Sequence, residues 1–498
     1  MNRGRRRIIT AGVLVASFLA AMEATIVATA APTIVAELGG LSIYALVFSV
    51  FLLTRTITGP IWGRMSDLFG QRRMFILGAI VFIVGSALSG IATSMVQLVI
   101  YRGVQGLGAG ALMTISQAIV GAIYSMEERG RIQGVFSAVW GFAAIIGPLA
   151  GGLITDHVSW RWVFLLNVPI GIVGTLLIGI FLGEDVRNSG RRAIDYKGIA
   201  LLSTTLGALM IALLRIGDLG GFDATAIALV IVSAATAAWL VRVENRAALP
   251  IIPPQLVRNR IVLSSSIVTF MSGISLHVII IFVPLFYQGV VGTSATGAGR
   301  ALTPLMIGWS VMATITGRII LRLGYRRAAI IGMTLLAVGS SMLPFLPAEE
   351  VGLYAFLAIL IAGSGLGVAT ISLLLAVQNS VPRDLLGSAT SVNGFSMSVG
   401  GVVGTAAFGA MLISLFRSSL VPGVAVDDLA LAVDPVLRPT LPAANLDAIT
   451  SALMSATDVV FIVGAIVAAI SIVAAFTVPR GTPHELRSSY GETPGESG

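Results

Sequence analysis

Long apolar runs alternate with short polar segments along almost the whole chain. A helix that crosses a bilayer needs about 20 mostly apolar residues, because its backbone rises only about 1.5 Å per residue. On that basis the pattern predicts an all-α polytopic membrane protein with fourteen transmembrane helices. Their predicted ranges are 8–36, 43–63, 74–93, 97–124, 131–155, 161–183, 196–216, 223–242, 261–287, 296–320, 326–346, 351–379, 386–416 and 453–478.

Basic residues are concentrated in every second polar segment. Arginines cluster near 3–7, 64–73, 187–192 and 318–327, whereas the intervening segments carry few. Because Lys and Arg accumulate in cytoplasmic loops, these segments are predicted to face the cytoplasm. An even number of spans then places both termini inside. We therefore predict a multi-pass protein of the inner (cytoplasmic) membrane, in which the basic start of the chain leads into a retained first helix.

Composition narrows the possible functions. The chain is 56% hydrophobic and 11% charged, whereas soluble proteins carry about 25% charged residues. It has no Cys and three His, so a thiolate or histidine-rich metal centre is not expected. No phosphate-binding G-x-x-x-x-G-K-[ST] motif is present, which argues against ATP as the energy source. We predict no enzyme activity, metal or cofactor. The net charge of +8 comes from basic residues in the segments predicted to face the cytoplasm, so it reflects membrane topology. No nucleic-acid partner is therefore expected.

Two polar segments share one pattern. Residues 63–73 and 317–327 both read G-R-x5-G-x-R-R, and each follows the second helix of a predicted six-helix block. Paired blocks are typical of transporters whose substrate site lies between two halves; the alternative is that short cytoplasmic loops simply collect Gly and Arg. The predicted divisions are a cytoplasmic N-terminus (1–7), a six-helix bundle (8–183), a two-helix linker (184–260), a second bundle (261–478) with an external loop (417–450), and a cytoplasmic tail (479–498).

These motifs resemble those of the major facilitator superfamily, in particular its fourteen-helix drug:proton antiporters. The antiporter motif G-P-x-x-G-G is intact at Gly147, Pro148, Gly151 and Gly152. Other stretches similar to that group are 25–27, 31–34, 63–73, 102–110, 159–169 and 283–288. The resemblance implies export driven by the proton gradient. It also implies that the G-P-x-x-G-G motif packs helices closely and limits leak, as glycines and a proline within a helix permit.

The resemblance also points to a cytoplasmic gate. Asp67 would either cap a helix N-terminus or bind an arginine in one transport state; the alternative is an ordinary surface loop. Leu68, Gln71 and Leu321 stand where the family pattern has charged residues, so this gate is expected to be less charged than usual. The candidate gating residues are Gly63, Arg64, Asp67, Gly70, Arg72 and Arg73.

Glu23 is the leading candidate for proton coupling. It lies about 22 Å along the predicted first helix, near the middle of the bilayer, where a charge is costly unless it is paired or protonated. The alternatives are a structural ion pair or the wall of a water-filled cavity. Arg102 is assigned to proton transfer by resemblance, the alternative being an arginine that extends to the outer interface. Arg55 is a third candidate that could pair with Glu23.

Several polar residues in or directly beside predicted spans are candidates for a substrate cavity. They are Glu23, His277, Tyr287, Gln288 and Asn393. An isolated His within a membrane helix is also compatible with a packing role. The expected function is proton-coupled export of lipophilic drugs or toxic compounds, cationic ones included, by a monomer surrounded by membrane lipids, with antibiotic resistance as a consequence. The alternative is export of a lipid or endogenous metabolite by the same fold.

Overall fold

A computed structural model describes residues 3–40, 43–124, 126–183, 196–219, 221–245, 254–349, 351–381, 385–421, 428–433 and 438–479. Within those ranges every regular element is helical. The helices are α1 Arg3–Leu38, α2 Leu46–Phe69, α3 Gln71–Gly90, α4 Met95–Ile123, α5 Met126–His157, α6 Arg161–Leu165, α7 Asn167–Phe181, α8 Tyr196–Leu219, α9 Ala224–Glu244, α10 Pro254–Arg258, α11 Arg260–Phe286, α12 Ala295–Leu323, α13 Tyr325–Met342, α14 Leu353–Gln378, α15 Leu386–Ser419, α16 Asp428–Val433 and α17 Ala443–Ala475.

The long helices follow the predicted spans closely, and the all-helical membrane fold is confirmed. Eleven described segments are long and apolar enough to cross a membrane, or twelve if the bent α1 counts as one span. α8 contributes only a shorter apolar stretch, Lys197–Leu213. A count of fourteen transmembrane helices therefore remains a prediction.

Two differences from the predicted spans are larger than a shift of a few residues. The last helix begins at Ala443, ten residues before the predicted start at 453, because its first turns contain polar residues that hide them from a search for apolar runs. The sixth predicted span is divided into α6 and α7 at Leu166. Pro169 accounts for the division, because it lacks the N–H that would bond the carbonyl of Leu165.

The two halves of the chain pack their helices in the same way. In the first half α4 packs against α2 and α3, and α1 packs against α5 and α7. In the second half α14 packs against α12 and α13, and α11 packs against α15 and α17. Each of these contacts in one half has its counterpart ten helices later in the other. The repeat seen in the two G-R-x5-G-x-R-R segments therefore extends to the packing of the helices.

One glycine in each repeat makes the same turn. Gly70 separates α2 from α3 with φ +92° and ψ +139°, and Gly324 separates α12 from α13 with φ +79° and ψ +149°. Side chains with a Cβ rarely adopt this backbone conformation. The shared glycine of the motif is therefore required by the tight connection between two antiparallel helices.

The halves are joined at one end of the bundle. We call the end where α1 begins the N-terminal side and the end where α1 finishes, at Leu38, the far side. On the far side Gln288 donates to the carbonyl of Thr29 at 3.0 Å, and the Tyr44 hydroxyl donates to the carbonyl of Ile281 at 3.4 Å. Towards the N-terminal side, a Cβ added to Gly317 or Gly394 would meet open space. The described contacts therefore close the bundle at the far side.

The segment between α15 and α17 contributes to this closure. Its described part, α16, packs against α1 of the opposite half. Arg438 follows it and donates to the carbonyls of Gly289 at 2.9 Å and Val290 at 3.1 Å, at the irregular turn that ends α11. The predicted external loop at 417–450 thus has local helical order where it is described.

Candidate functional site

The site is centred on a bend in α1. This helix turns by 41° between its parts Gly4–Glu23 and Thr25–Leu38. The Thr25 hydroxyl donates to the carbonyl of Met22 at 3.2 Å, a local bond that competes with the helical backbone bonds and bends helices. Glu23 lies immediately before the bend, with its carboxylate buried in the first half.

Glu23 forms an ion pair with Arg102 of α4, and both side chains are almost completely buried. The guanidinium also donates to the carbonyl of Val47 at 3.1 Å and to Oε1 of Gln105 at 2.7 Å. Its carbon lies 4.0 Å from the ring centre of Phe51, within range of a cation–π contact. Arg102 is therefore held inside the bundle, and the alternative of an arginine extending to the interface does not describe this structure.

Asn167, at the break between α6 and α7, approaches the other carboxylate oxygen. Its Nδ2 donates to Oε2 of Glu23 at 2.7 Å and to Oγ of Ser86 at 3.0 Å. Ser86, on α3, also accepts from Nε2 of Gln105 at 3.0 Å and donates to the carbonyl of Phe164 at 2.9 Å. One continuous polar network thus connects α1, α3, α4 and the α6–α7 break.

This network is suited to a carboxyl group that changes its charge. Removing one member of a buried ion pair leaves the other charge uncompensated, which costs about 3–5 kcal/mol. Protonating Glu23 would remove its half of the pair without removing the side chain. Arg102 would then need new partners, so the proton occupancy of Glu23 would change the packing preference of α1 against α4.

The G-P-x-x-G-G motif lies on α5 and contacts both halves. A Cβ at Gly147 would meet Thr25, and one at Gly151 would meet Thr29, both on α1. A Cβ at Gly152 would instead meet the backbone of Thr296 on α12, in the other half. The carbonyl of Pro148 faces Gly299 on the same helix. The motif therefore permits close packing of α5 between α1 and α12, as expected for glycines in membrane helices.

Next to this contact, one carboxylate joins the halves directly. Asp156, near the end of α5, accepts from the backbone N–H of Ala295 at 3.0 Å and of Thr296 at 2.8 Å. Those groups form the N-terminus of α12, where free N–H groups and the helix dipole favour a negative charge. Asp156 thus caps a helix of the opposite half on the far side.

Arg55 lies outside the Glu23 network, so its predicted pairing with Glu23 is not found. Its guanidinium is instead close enough to His277 of α11 for an electrostatic interaction across the halves. In the part of the chain that the structure describes, Arg55 forms no hydrogen bond or ion pair. The His277 ring lies against Gly401 of α15 and bonds through Nδ1 to the carbonyl of Gly273 at 2.9 Å.

The remaining cavity candidates lie in different places. Gln288 joins the halves at the far side, where it also accepts from Thr33 at 3.3 Å. Tyr287 is buried beside it, and its hydroxyl has no hydrogen-bond partner among the described residues. Asn393 donates to Thr269 at 3.0 Å inside the second half. The structure therefore does not gather Glu23, His277, Tyr287, Gln288 and Asn393 around one cavity.

The candidate gate is described only in part. Gly63 and Gly70 are placed on and just after α2, Arg72 is partly exposed, and Arg73 is exposed at the start of α3. The side chains of Arg64 and Asp67 lie outside the described residues, so the predicted acidic contact of Asp67 remains a prediction.

Comparison with known proteins identifies the family. The family model described as Major Facilitator Superfamily matches residues 13–405. The chain belongs to the Major Facilitator Superfamily. It is 35% identical over 429 residues to the multidrug transporter protein MdtP of Bacillus subtilis, covering 84% of this chain and 79% of that protein. It is 34% identical over 419 residues to multidrug resistance protein 3 of the same organism, covering 83% and 81%.

Solved structures support the same fold. A bacterial homologue of the human lysosomal transporter Spinster, in an inward-facing and unoccupied conformation, superimposes with a TM-score of 0.69. It is 15% identical and the match covers 96% of this chain and 98% of that one. At that identity the similarity shows the fold alone. As a Major Facilitator Superfamily member, the chain is a multi-pass membrane transporter and not an enzyme.

Within this superfamily fold, sequence reasoning missed several residues of the site. Asn167 lies inside the recognised 159–169 segment but received no role, and Ser86, Gln105 and Asp156 were not considered. For Asn167, Ser86 and Gln105 the available signal was a polar side chain within an apolar span, whereas Asp156 lies one residue beyond its predicted span. Asp458 carries the same signal. It lies well inside α17.

Proposed function

We propose that this transporter exports lipophilic compounds, including cations, from the cytoplasm in exchange for protons. It works as a monomer in the cytoplasmic membrane, with the N-terminal side facing the cytoplasm. The observation that carries the proposal is the buried carboxylate of Glu23, paired with Arg102 and hydrogen-bonded to Asn167. A carboxyl that is stable either as an ion pair or as a neutral acid can carry one proton per transport cycle.

Alternating access links this proton to the cargo. In the described state the far side is closed by Asp156, Gln288 and Tyr44, which supports a cytoplasm-facing conformation. Opening the far side requires these inter-half bonds to break while contacts form on the N-terminal side. A ligand shifts such an equilibrium only when it binds one state more tightly. Proton and cargo exchange because each favours a different charge state of Glu23.

The nature of the cargo is supported by the relatives. MdtP and multidrug resistance protein 3 are named for multidrug transport and resistance, and a more distant fungal relative, 30% identical, is named efflux pump FUS6. The predicted membrane spans contain few charged side chains, which suits an apolar cargo. We extend this role to the present chain, with resistance to toxic compounds as its consequence.

Transport by purified protein in liposomes tests the proposal. Ethidium movement and lumenal pH are recorded together after an imposed pH gradient. We expect wild-type protein to move dye against proton flow, and Glu23→Gln to abolish the dye-dependent proton movement. Glu37→Gln is a matched control, because Glu37 lies on the same helix in a partly exposed pair with Arg161. We expect Glu37→Gln to retain exchange.

Two results would contradict the proposal. Normal proton-coupled dye movement by Glu23→Gln would exclude the assigned role of Glu23. Absence of dye movement by wild-type protein, together with movement of a fluorescent phospholipid between leaflets, would favour a lipid exporter instead.

A further inference from the structure

The side chain of Asn167 leaves one polar atom without a partner at the centre of the site. Its Nδ2 donates to Glu23 and Ser86, whereas its Oδ1 is buried with no hydrogen-bond donor among the described residues. A buried carbonyl oxygen without a donor is unfavourable, and native structures seldom keep one without a reason. Every other polar contact of this amide is directed at the carboxylate or at the residue that supports it.

We propose that Asn167 is the positioning residue that serves Glu23 in both of its protonation states. The Nδ2–H group donates to the carboxylate when Glu23 is charged. When Glu23 takes up a proton, its new O–H donates to Oδ1, the acceptor that is free in the described state. The proton binds to a Glu23 oxygen, the ion pair with Arg102 is lost, and the bond from Nδ2 to Oε2 is replaced by the bond from the new O–H to Oδ1. Rotation of either terminal group is sufficient, because both torsions are soft.

The surroundings of Glu23 restrict the alternatives. Arg102 of α4 is the charged group that the described contacts place against it. Ser86 of α3 and Gln105 of α4 are neutral, and α5 presents glycines to this part of α1. Arg55 is partly buried and has no described contact with Glu23. Asn167 is therefore the neutral group best placed to respond to the proton on Glu23.

The inference rests on the proposed function. Infrared spectroscopy of the Glu23 carboxyl distinguishes a failure of the inference from a failure of the proposed function. The experiment follows the carbonyl stretch of protonated Glu23 as a function of pH in reconstituted wild-type protein, Asn167→Leu and Asn167→Asp. The band is assigned to Glu23 by its loss in Glu23→Gln. Both variants remove the amide donor that stabilises the charged carboxylate. In Asn167→Asp, which keeps an acceptor for the Glu23 O–H, we expect the band to appear at a pH about one unit higher, a roughly tenfold gain in proton affinity. In Asn167→Leu, which loses the donor and the acceptor together, the band should move to the frequency of a carboxyl that donates no hydrogen bond.

Asn167→Asp preserves the shape of the side chain and keeps the test valid if Asn167→Leu does not fold. The pH profile of dye exchange should shift with the infrared midpoint. If both folded variants keep the wild-type midpoint and frequency while Glu23 still titrates, Asn167 has only a structural role and the inference is wrong. If wild-type protein shows no titrating Glu23 band and no proton-coupled exchange, the proposed function itself fails.

Discussion

The carboxylate of Asp156 provides the sharpest prediction about conformational balance. It accepts backbone N–H bonds from Ala295 and Thr296, and these bonds join the two halves on the far side. Asp156→Asn retains one acceptor oxygen, exchanges the other for an amide, and removes the negative charge from the N-terminus of α12. The substitution should therefore destabilise the far-side-closed state and leave the separated halves unaffected.

The magnitude follows from the two bonds. A hydrogen bond to a charged group contributes about 1.5–3 kcal/mol, and a charge at a helix N-terminus contributes about 0.3–1 kcal/mol. Asp156 is exposed to solvent, so screening reduces these values, and we expect a net loss of about 1 kcal/mol. That loss changes the ratio of closed to open molecules by about fivefold.

Distance measurements between spin labels can detect a change of this size. The natural chain contains no cysteine, so labels attach only where cysteine is introduced. Ile91, after α3, and Phe345, after α13, are exposed on the far side of opposite halves. We expect a longer-distance population between these positions to grow about fivefold relative to the short one in Asp156→Asn.

A matched control isolates the contact between halves. Asp223 accepts from the backbone N–H of Ala226 at 2.8 Å and caps α9, but within a single linker helix pair. Asp223→Asn should leave the distance distribution unchanged. An unchanged distribution in Asp156→Asn, or an equal change in both variants, would refute the idea that this carboxylate holds the far side closed.

Three further predictions concern stability. Gly70→Ala should lower the unfolding free energy by about 1–3 kcal/mol, because φ +92° disfavours a Cβ, whereas Gly207→Ala, where open space surrounds the Cβ, should raise the melting temperature in detergent slightly. Arg55→Met should raise the free energy of unfolding by on the order of 1 kcal/mol, because it removes an intramembrane cation without a described counter-charge. A lower melting temperature of the variant would contradict this prediction and show that the charge is compensated. The Ala226 N–H holds the pKa of Asp223 below its usual value, with help from Arg215. Stability from this cap is therefore present at neutral pH and is lost as pH falls through the lowered pKa. The protection of the Ala226 N–H from hydrogen exchange, relative to its intrinsic rate at each pH, should persist at the ordinary Asp pKa of about 3.9 and be lost only below it.

Much of the architecture can be predicted from local sequence patterns. Hydropathy marks the helices to within a few residues because lipid requires each span to satisfy its own backbone. The repeated glycine at positions 70 and 324 could be predicted as a turn because its spacing recurs and only glycine readily adopts that backbone. The division of the sixth span could also have been predicted, since Pro169 removes a backbone donor from the interior of that span.

The site is less predictable because its contacts are long-range. Glu23 and Arg102 are 79 positions apart, and Glu23 and Asn167 are 144 apart. The sequence analysis proposes Arg55 as the partner of Glu23, whereas the structure pairs Glu23 with Arg102. The choice depends on which faces of α2 and α4 turn towards α1, and packing of the whole half determines that. The cap by Asp156 depends further on contact between the two halves, which no local pattern specifies.

Proton release on cargo binding tests the central claim most directly. Purified protein in weakly buffered detergent is mixed with ethidium, and a pH-sensitive dye records the protons liberated. If cargo and proton exchange at Glu23, wild-type protein should release protons on binding near the pH at which Glu23 titrates, and Glu23→Gln should bind dye without releasing any. Equal proton release by both proteins would contradict the account.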